Sequence, residues 1–146
     1  MNDMNNGEVN VLDELNKGAS MGEDAIHFML DKVQDEAFRN ELHVQYGKYK
    51  AITDQISELY PKYSEKKPHT TSTMNKVMTW YGIEMKTFMD SSTSKLAELI
   101  MQGTNMGIIE GRRLLNQKDT DPKVHKLLQE YVDMQEDAVE KLKKFL

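Results

Sequence analysis

At 146 residues the chain has the size of one domain built around a single core. It carries 24 acidic against 19 basic side chains, a net charge of −5, and no dense basic run, which argues against nucleic acid or an anionic membrane surface as a partner. With no cysteine, disulfides, thiolate metal sites and cysteine nucleophiles are excluded.

The opening stretch "MNDMNNGEVN" has no basic region followed by an apolar one, so no signal peptide is expected. No apolar run approaches ~18 residues, so none is expected to span a bilayer, and the expected location is the cytoplasm. Residues 1–8 are polar and expected to fray. From Val9 the pattern is helical: Leu12, Leu15, Ala19, Gly22, Ile26, Met29 and Val33 follow one another in steps of three and four, drawing one apolar stripe. "VQDEAF" then breaks the helix, with Asp35 as N-cap and Glu36 in the first turn of the next. The second helix repeats the rhythm through Leu42, Gln45 or Tyr46, Tyr49, Ile52, Ile56 and Leu59. Pro61 should end it, because proline has no N–H and disfavours helix in the residue before it.

Residues 61–93 read as a long crossover: the polar "PKYSEKKPHTTST", then a shorter helix over about 74–89 with Met74, Val77, Met78, Tyr81, Met85 and Phe88. It stops at "DSSTS", residues 90–94, where cap-forming side chains cluster. The third long helix carries Leu96, Leu99, Ile100, Gly103, Met106, Gly107, Glu110 and Leu114. The fourth opens at "DTDPKV", with Asp121 as N-cap and Pro122 in the first helical position, and its stripe is Val124, Leu127, Leu128, Tyr131, Met134 or Gln135, Ala138, Leu142 and Phe145. Four helices of about 24 residues, each about 36 Å long, follow from this reading. Short loops make the first and last pairs antiparallel, and the long crossover lets the second and third helices run parallel.

Helix, helix, long crossover, helix, helix is an order that resembles the ferritin-like superfamily. More narrowly, the chain resembles a bacterial family of small ferritin-like bundles defined as a domain of unknown function. The matching pieces are "GED" at Gly22–Asp24, the break at "QDEAF", "YGIEMK" in the crossover, "QG" before the third-helix core, and "EYVDMQ" at Glu130–Gln135. The resemblance covers nearly the whole chain and implies an all-α, up-down-down-up four-helix bundle. It also raises the question of a di-iron or di-manganese centre. Relatives build one from a Glu on each of two helices and a Glu-x-x-His on each of the other two.

Helical phase decides which side chains reach the interior. Glu23 flanks the first stripe and can turn inward, His27 lies four residues on and nearer solvent, and Glu110 falls inside the third stripe, so Glu23, Glu110 and His27 are the metal candidates. The second and fourth helices break the pattern. The chain contains no Glu-x-x-His; the inward polar residues are Gln45 and Gln135, with Lys48 and Ala138 three residues on. Asp133 and Glu136 stand three apart but point away from the stripe. The third helix reads "GTN" at Gly103–Asn105 where the family is more acidic, "G-E-D". Neutral amides offset too little of the charge of two divalent ions. The expectation is therefore a core polar network of Gln45, Glu110 and Gln135 in place of a metal pair, with Glu110 paired to Gln135, Gln45 or Arg113. No nucleophile, base and pocket can be assembled for catalysis.

Gly103, Gly107 and Gly111 make a smooth strip on the third helix, and Gly18, Ala19 and Gly22 do so on the first. The expectation is close packing of these two helices, the competing reading being a strip that faces a second subunit. The eleven methionines mostly fill core positions, and Trp80, Tyr81, Met85, Phe88 and Met89 give the crossover helix a surplus apolar face suited to a homo-oligomer contact. His27, His43, His69 and His125 are scattered surface residues. The leading functional expectation is a non-catalytic helical-bundle protein without a bound cofactor, acting through surface or oligomer contacts. The alternative is an iron- or manganese-binding protein that uses Glu23 and Glu110.

Overall fold

At residues 31–35 one carboxylate decides where a helix starts. Asp35 has extended backbone angles, and its Oδ1 accepts the Phe38 N–H at 2.8 Å. That bond satisfies one of the four N–H groups that a helix start leaves open. The computed structural model describes residues 6–66, 68, 79, 92–117 and 119–146. Among them lie four long helices: α1 (Asn6–Leu30), α2 (Glu36–Leu59), α3 (Thr93–Gln117) and α4 (Pro122–Leu142). Short 3₁₀ turns follow α2 at Tyr60–Lys62 and α4 at Lys143–Phe145. No strand occurs among the described residues, and none of the described helices is long and apolar enough to cross a membrane. The proposed crossover helix, with its methionines, Trp80 and Tyr81, lies outside the described residues apart from Thr79.

The helix signals in the sequence act much as expected, with two corrections. Pro61 sits in the 3₁₀ turn that ends α2. At the start of α3 the Ser92 hydroxyl accepts the Lys95 N–H at 3.3 Å. Asp121 precedes Pro122 as expected, but its side chain makes no capping bond. Its carboxylate is taken by the Tyr63 hydroxyl, and its own backbone N–H donates to Glu8 Oε1 at 3.2 Å. The second correction is at the N-terminus. α1 begins at Asn6 and Glu8 is buried, so residues 6–8, expected to fray, belong to the helix.

Cross-helix contacts fix the arrangement. α1 and α2 form one antiparallel hairpin, with Tyr60 donating to Asp13 at 2.9 Å and Thr53 to Glu23 at 2.9 Å. α3 and α4 form the other, tied on the outside by Arg112 and Glu136 at 2.8 Å. Glu8 meets Asp121 and Gly18 lies against Tyr131, so α1 and α4 run in the same sense. Phe38 meets Phe145 with ring centroids 5.1 Å apart, and Lys48 meets Asp137 at 3.5 Å, so α2 runs opposite to α4. Contacts within each hairpin are much denser than those between α1 and α3.

One core runs through the bundle. Val11, Leu12, Leu15, Ile26 and Met29 from α1 meet Phe38, Leu42 and Ile56 from α2, Leu96 and Leu99 from α3, and Leu128 and Leu142 from α4, all within 1% of complete burial. Removing such side chains from water stabilises by about 1.5–3 kcal/mol each. The stripes expected on α1, α2 and α4 hold, and Gln45 and Gln135 are the inward choices rather than Tyr46 and Met134. On α3 the expected stripe is right as far as Ile100 and then about one residue out of phase. The buried line continues through Thr104 and Gly111, while Met106 is 53% exposed and Glu110 faces solvent. Reading Met106 as a core residue pulled the stripe to the wrong side of the helix.

Candidate functional site

The bundle's middle layer is polar, and every polar group in it is neutral. Tyr49 on α2, Thr104 on α3, and Tyr131 and Gln135 on α4 are all buried there. Thr104, held in helix, donates its hydroxyl hydrogen to the Ile100 carbonyl one turn back, at 2.8 Å. The Tyr49 hydroxyl lies against the Thr104 oxygen and accepts the Gln135 Nε2–H at 3.2 Å. Thr104 has spent its hydrogen on that carbonyl, and the Gln135–Tyr49 bond links α4 to α2 beside it. Burial, the largest cause in both tyrosines, pushes the Tyr49 and Tyr131 phenols up, so both are neutral at physiological pH. Their rings meet edge to face with centroids 6.5 Å apart. One capacity goes unmet: Gln135 is 2% exposed, and its Oε1 has no hydrogen-bond partner.

The glycines exist for this layer. A Cβ at Gly22 would lie 2.5 Å from Cε1 of Tyr49, and one at Gly18 would lie 2.4 Å from the Tyr131 hydroxyl. At Gly107 it would meet the Gln135 amide at 2.2 Å, and at Gly111 it would meet Val132 at 2.5 Å. Bare backbone on α1 and α3 thus receives long side chains from α2 and α4. This corrects the expectation that the two glycine strips bring α1 and α3 against each other. It also removes the need for a second subunit to cover Gly18, Gly22, Gly107 and Gly111, which the chain's own side chains occupy.

Between α1 and α3 a cavity of about 440 Å³ opens above the same layer. Leu15, Met21, Ala25 and Ile26 form one wall, Ile100, Gly103 and Leu114 belong to the other, and Tyr49, Tyr131 and Gln135 form the floor. Glu14, Lys17 and Glu110 stand at its exposed rim.

The structure does not assemble the residues chosen from the sequence. Glu110 Oε1 pairs with Arg113 at 2.6 Å, and the Glu110 side chain is 65% exposed. Arg113 was one of its expected partners; the inward position was not reached. Gln45 is buried but donates to Glu41 within its own helix, at 3.1 Å. The expected network of Gln45, Glu110 and Gln135 is therefore three separate interactions, and only Gln135 takes part in the cross-helix bond. Glu23 is half-buried and accepts from Thr53; burial, its largest influence, raises its carboxyl above the ordinary value, against that bond and Lys50. His27 is exposed. Among the described residues no three of His, Cys, Asp and Glu converge to hold a metal ion. Phenols, a hydroxyl and a primary amide, all neutral, are a poor donor set for two divalent cations, and this layer does not fit a dinuclear centre.

Sequence reasoning missed Thr104, and it took Tyr49 and Tyr131 only as core apolar residues. The available signal was the recurrence of hydroxyl-bearing side chains on three inward stripes at the level of the glycines. No family model, no curated protein and no solved structure matches the chain.

Proposed function

We propose that this protein is a non-catalytic ferritin-like helical bundle that works by binding, with no di-metal centre. The observation that carries the reading is the buried Gln135–Tyr49 bond with Thr104 beside it, bonded to its own helix. Neutral, hydrogen-bonded groups occupy the layer where carboxylates and imidazoles would have to converge on metal ions. The directions of the helices, first and fourth alike and second opposed to the fourth, support the up-down-down-up arrangement of that superfamily. Residues 61–93 supply a connection long enough for its crossover. Fold alone says little about function, so the weight rests on the middle layer. A cytoplasmic location and self-association through the crossover helix belong to the same proposal.

Elemental analysis tests it. Protein purified without chelators and offered iron(II) or manganese(II) should retain far less than one ion per chain. Retention of about two ions per chain that disappears in Glu23→Ala or Glu110→Ala would replace this reading with the metalloprotein alternative.

A further inference from the structure

Asn6 and Gly7 open α1, and they form the one Asn-Gly pair in the chain. Asparagine followed by glycine is chemically unstable in water. No side chain shields the glycine nitrogen, which can attack the asparagine's own side-chain amide carbon. Every other asparagine here precedes a residue whose side chain crowds that approach. The fold leaves the pair reactive in three ways. Asn6 is exposed. Gly7 stands in the first turn, where backbone N–H groups have no acceptor inside the helix. A Cβ at Gly7 would meet only the Asp119 carbonyl oxygen, at 4.0 Å, so no neighbour obstructs ring closure. Helical backbone holds the two reacting atoms apart, so the turn must open. At a helix end that costs far less than in the middle. Asn16, buried within α1, and Asn105, exposed in the middle of α3, have neither a glycine partner nor a free end.

We propose that Asn6 is a site of deamidation, and that its isoaspartyl product releases α1 from the start of α4. The Gly7 nitrogen bonds to Asn6 Cγ, the Cγ–NH2 bond breaks, and ammonia leaves with the proton from the Gly7 N–H. The ring formed is a succinimide. Water then opens it at one of two carbonyls. Attack at the main-chain carbonyl gives isoaspartate, in which the chain runs through Cγ and is one carbon longer. Attack at Cγ restores the main chain and gives aspartate. Water is the sole co-reactant. The two products treat the fold differently. Aspartate in a first turn suits the helix dipole. Isoaspartate shifts the register two residues before Glu8, a buried side chain whose Oε1 accepts the Asp121 N–H at 3.2 Å. That bond ties α1 to the start of α4, and the longer backbone pulls it apart.

Peptide mapping by mass spectrometry tests the site. Full-length protein incubated at neutral pH should convert Asn6 to aspartate and isoaspartate while Asn16 and Asn105 stay intact. The chain unfolded in guanidinium chloride should convert Asn6 no more than about tenfold faster, because a terminal turn is the part of the fold that opens most readily. Gly7→Ala has room for its methyl group, so it should fold as the parent does and keep Asn6 intact. The isoaspartyl form, separated from the aspartyl form, should unfold at a lower urea midpoint than the parent, whereas Asn6→Asp should match or exceed the parent. Asn6 that lasts as long as Asn105 in the folded protein would overturn the proposal, as would protection by folding beyond that tenfold. So would unslowed conversion in Gly7→Ala, an isoaspartyl form as stable as the parent, or Asn6→Asp destabilised as much as the isoaspartyl form, since charge rather than backbone length would then be at work.

Discussion

Gly22 offers a direct measure of how tightly the middle layer is built. Replacing it with alanine gains about 1 kcal/mol of helix propensity. It also places a carbon 2.5, 2.6 and 2.7 Å from three ring atoms of Tyr49. Ordinary contact needs close to 3.5 Å or more, so the ring must retreat by about 1 Å. Tyr49 cannot do so freely, being 3% exposed, bonded to Gln135 and packed edge-on to Tyr131. Overpacking of that kind costs typically about 1–3 kcal/mol, and the hydrogen bond to Gln135 adds about 1 kcal/mol if it breaks. The net expectation for Gly22→Ala is a loss of about 1–3 kcal/mol. Gly47 is the control: it lies in α2 with nothing within 4 Å of its would-be Cβ, so Gly47→Ala keeps only the gain, about 0.5–1 kcal/mol. The same chemical change should thus move stability in opposite directions at the two positions. Urea unfolding followed by far-UV circular dichroism reads the difference as about 1 M or more between midpoints, for a slope of about 2 kcal/mol per molar. Midpoints for the two variants that agree within about 0.2 M would refute the account of why the glycines are there.

Asp35→Ala should lower stability by about 1 kcal/mol through the lost Phe38 cap, seen as a drop in urea midpoint, with Asp35→Ser recovering most of it. Glu23 gives a pH signature. Its folded carboxyl binds a proton more tightly than the unfolded one, whose reference value is 4.5, so the charged form weakens the fold, and the penalty fades as pH falls through the folded value. Glu23→Gln, still able to accept from Thr53, should therefore raise the urea midpoint at pH 7 and match the parent near pH 4; a lower midpoint at pH 7 would count against this. The tyrosines set the alkaline limit. Burial is the largest cause in each, and it pushes Tyr60 and Tyr63 up to about 12 and Tyr49 and Tyr131 up as well. The folded state keeps phenol protons that the unfolded chain releases above pH ~10, so stability should fall as pH rises from there. Phenolate absorbance at these four and loss of helix should then appear together. Full titration near pH 10 with helix intact would contradict the burial described here.

Helix positions, ends and most core residues were legible because they depend on neighbours three and four apart along the chain. Asp35, Pro61, Pro122 and the stripes of α1, α2 and α4 all carried enough local information to be placed. Gln45 and Gln135 were placed inside correctly for the same reason. Glu110 was not: two candidate stripes on α3 differ by about one residue, about 100° of helical rotation, and composition alone favoured the one through Met106. Which stripe turns inward is settled by what Gly111 and Thr104 can pack against, and those partners come from α4 and α2.

The glycines mark the same boundary. Their spacing announced a strip of small residues but not its purpose, since close backbone approach and a niche for an incoming side chain look alike along one helix. Only tertiary packing puts Tyr49 against Gly22 and Gln135 against Gly107 within the hairpins, and Tyr131 against Gly18 between them. Periodicity reports the angle at which a side chain leaves its own helix. It carries no information about the height or rotation at which another helix arrives. The four helices and the buried faces of α1, α2 and α4 were therefore written in the sequence. The polar bond across the middle, the unmet amide oxygen and the cavity above it were decided by tertiary packing.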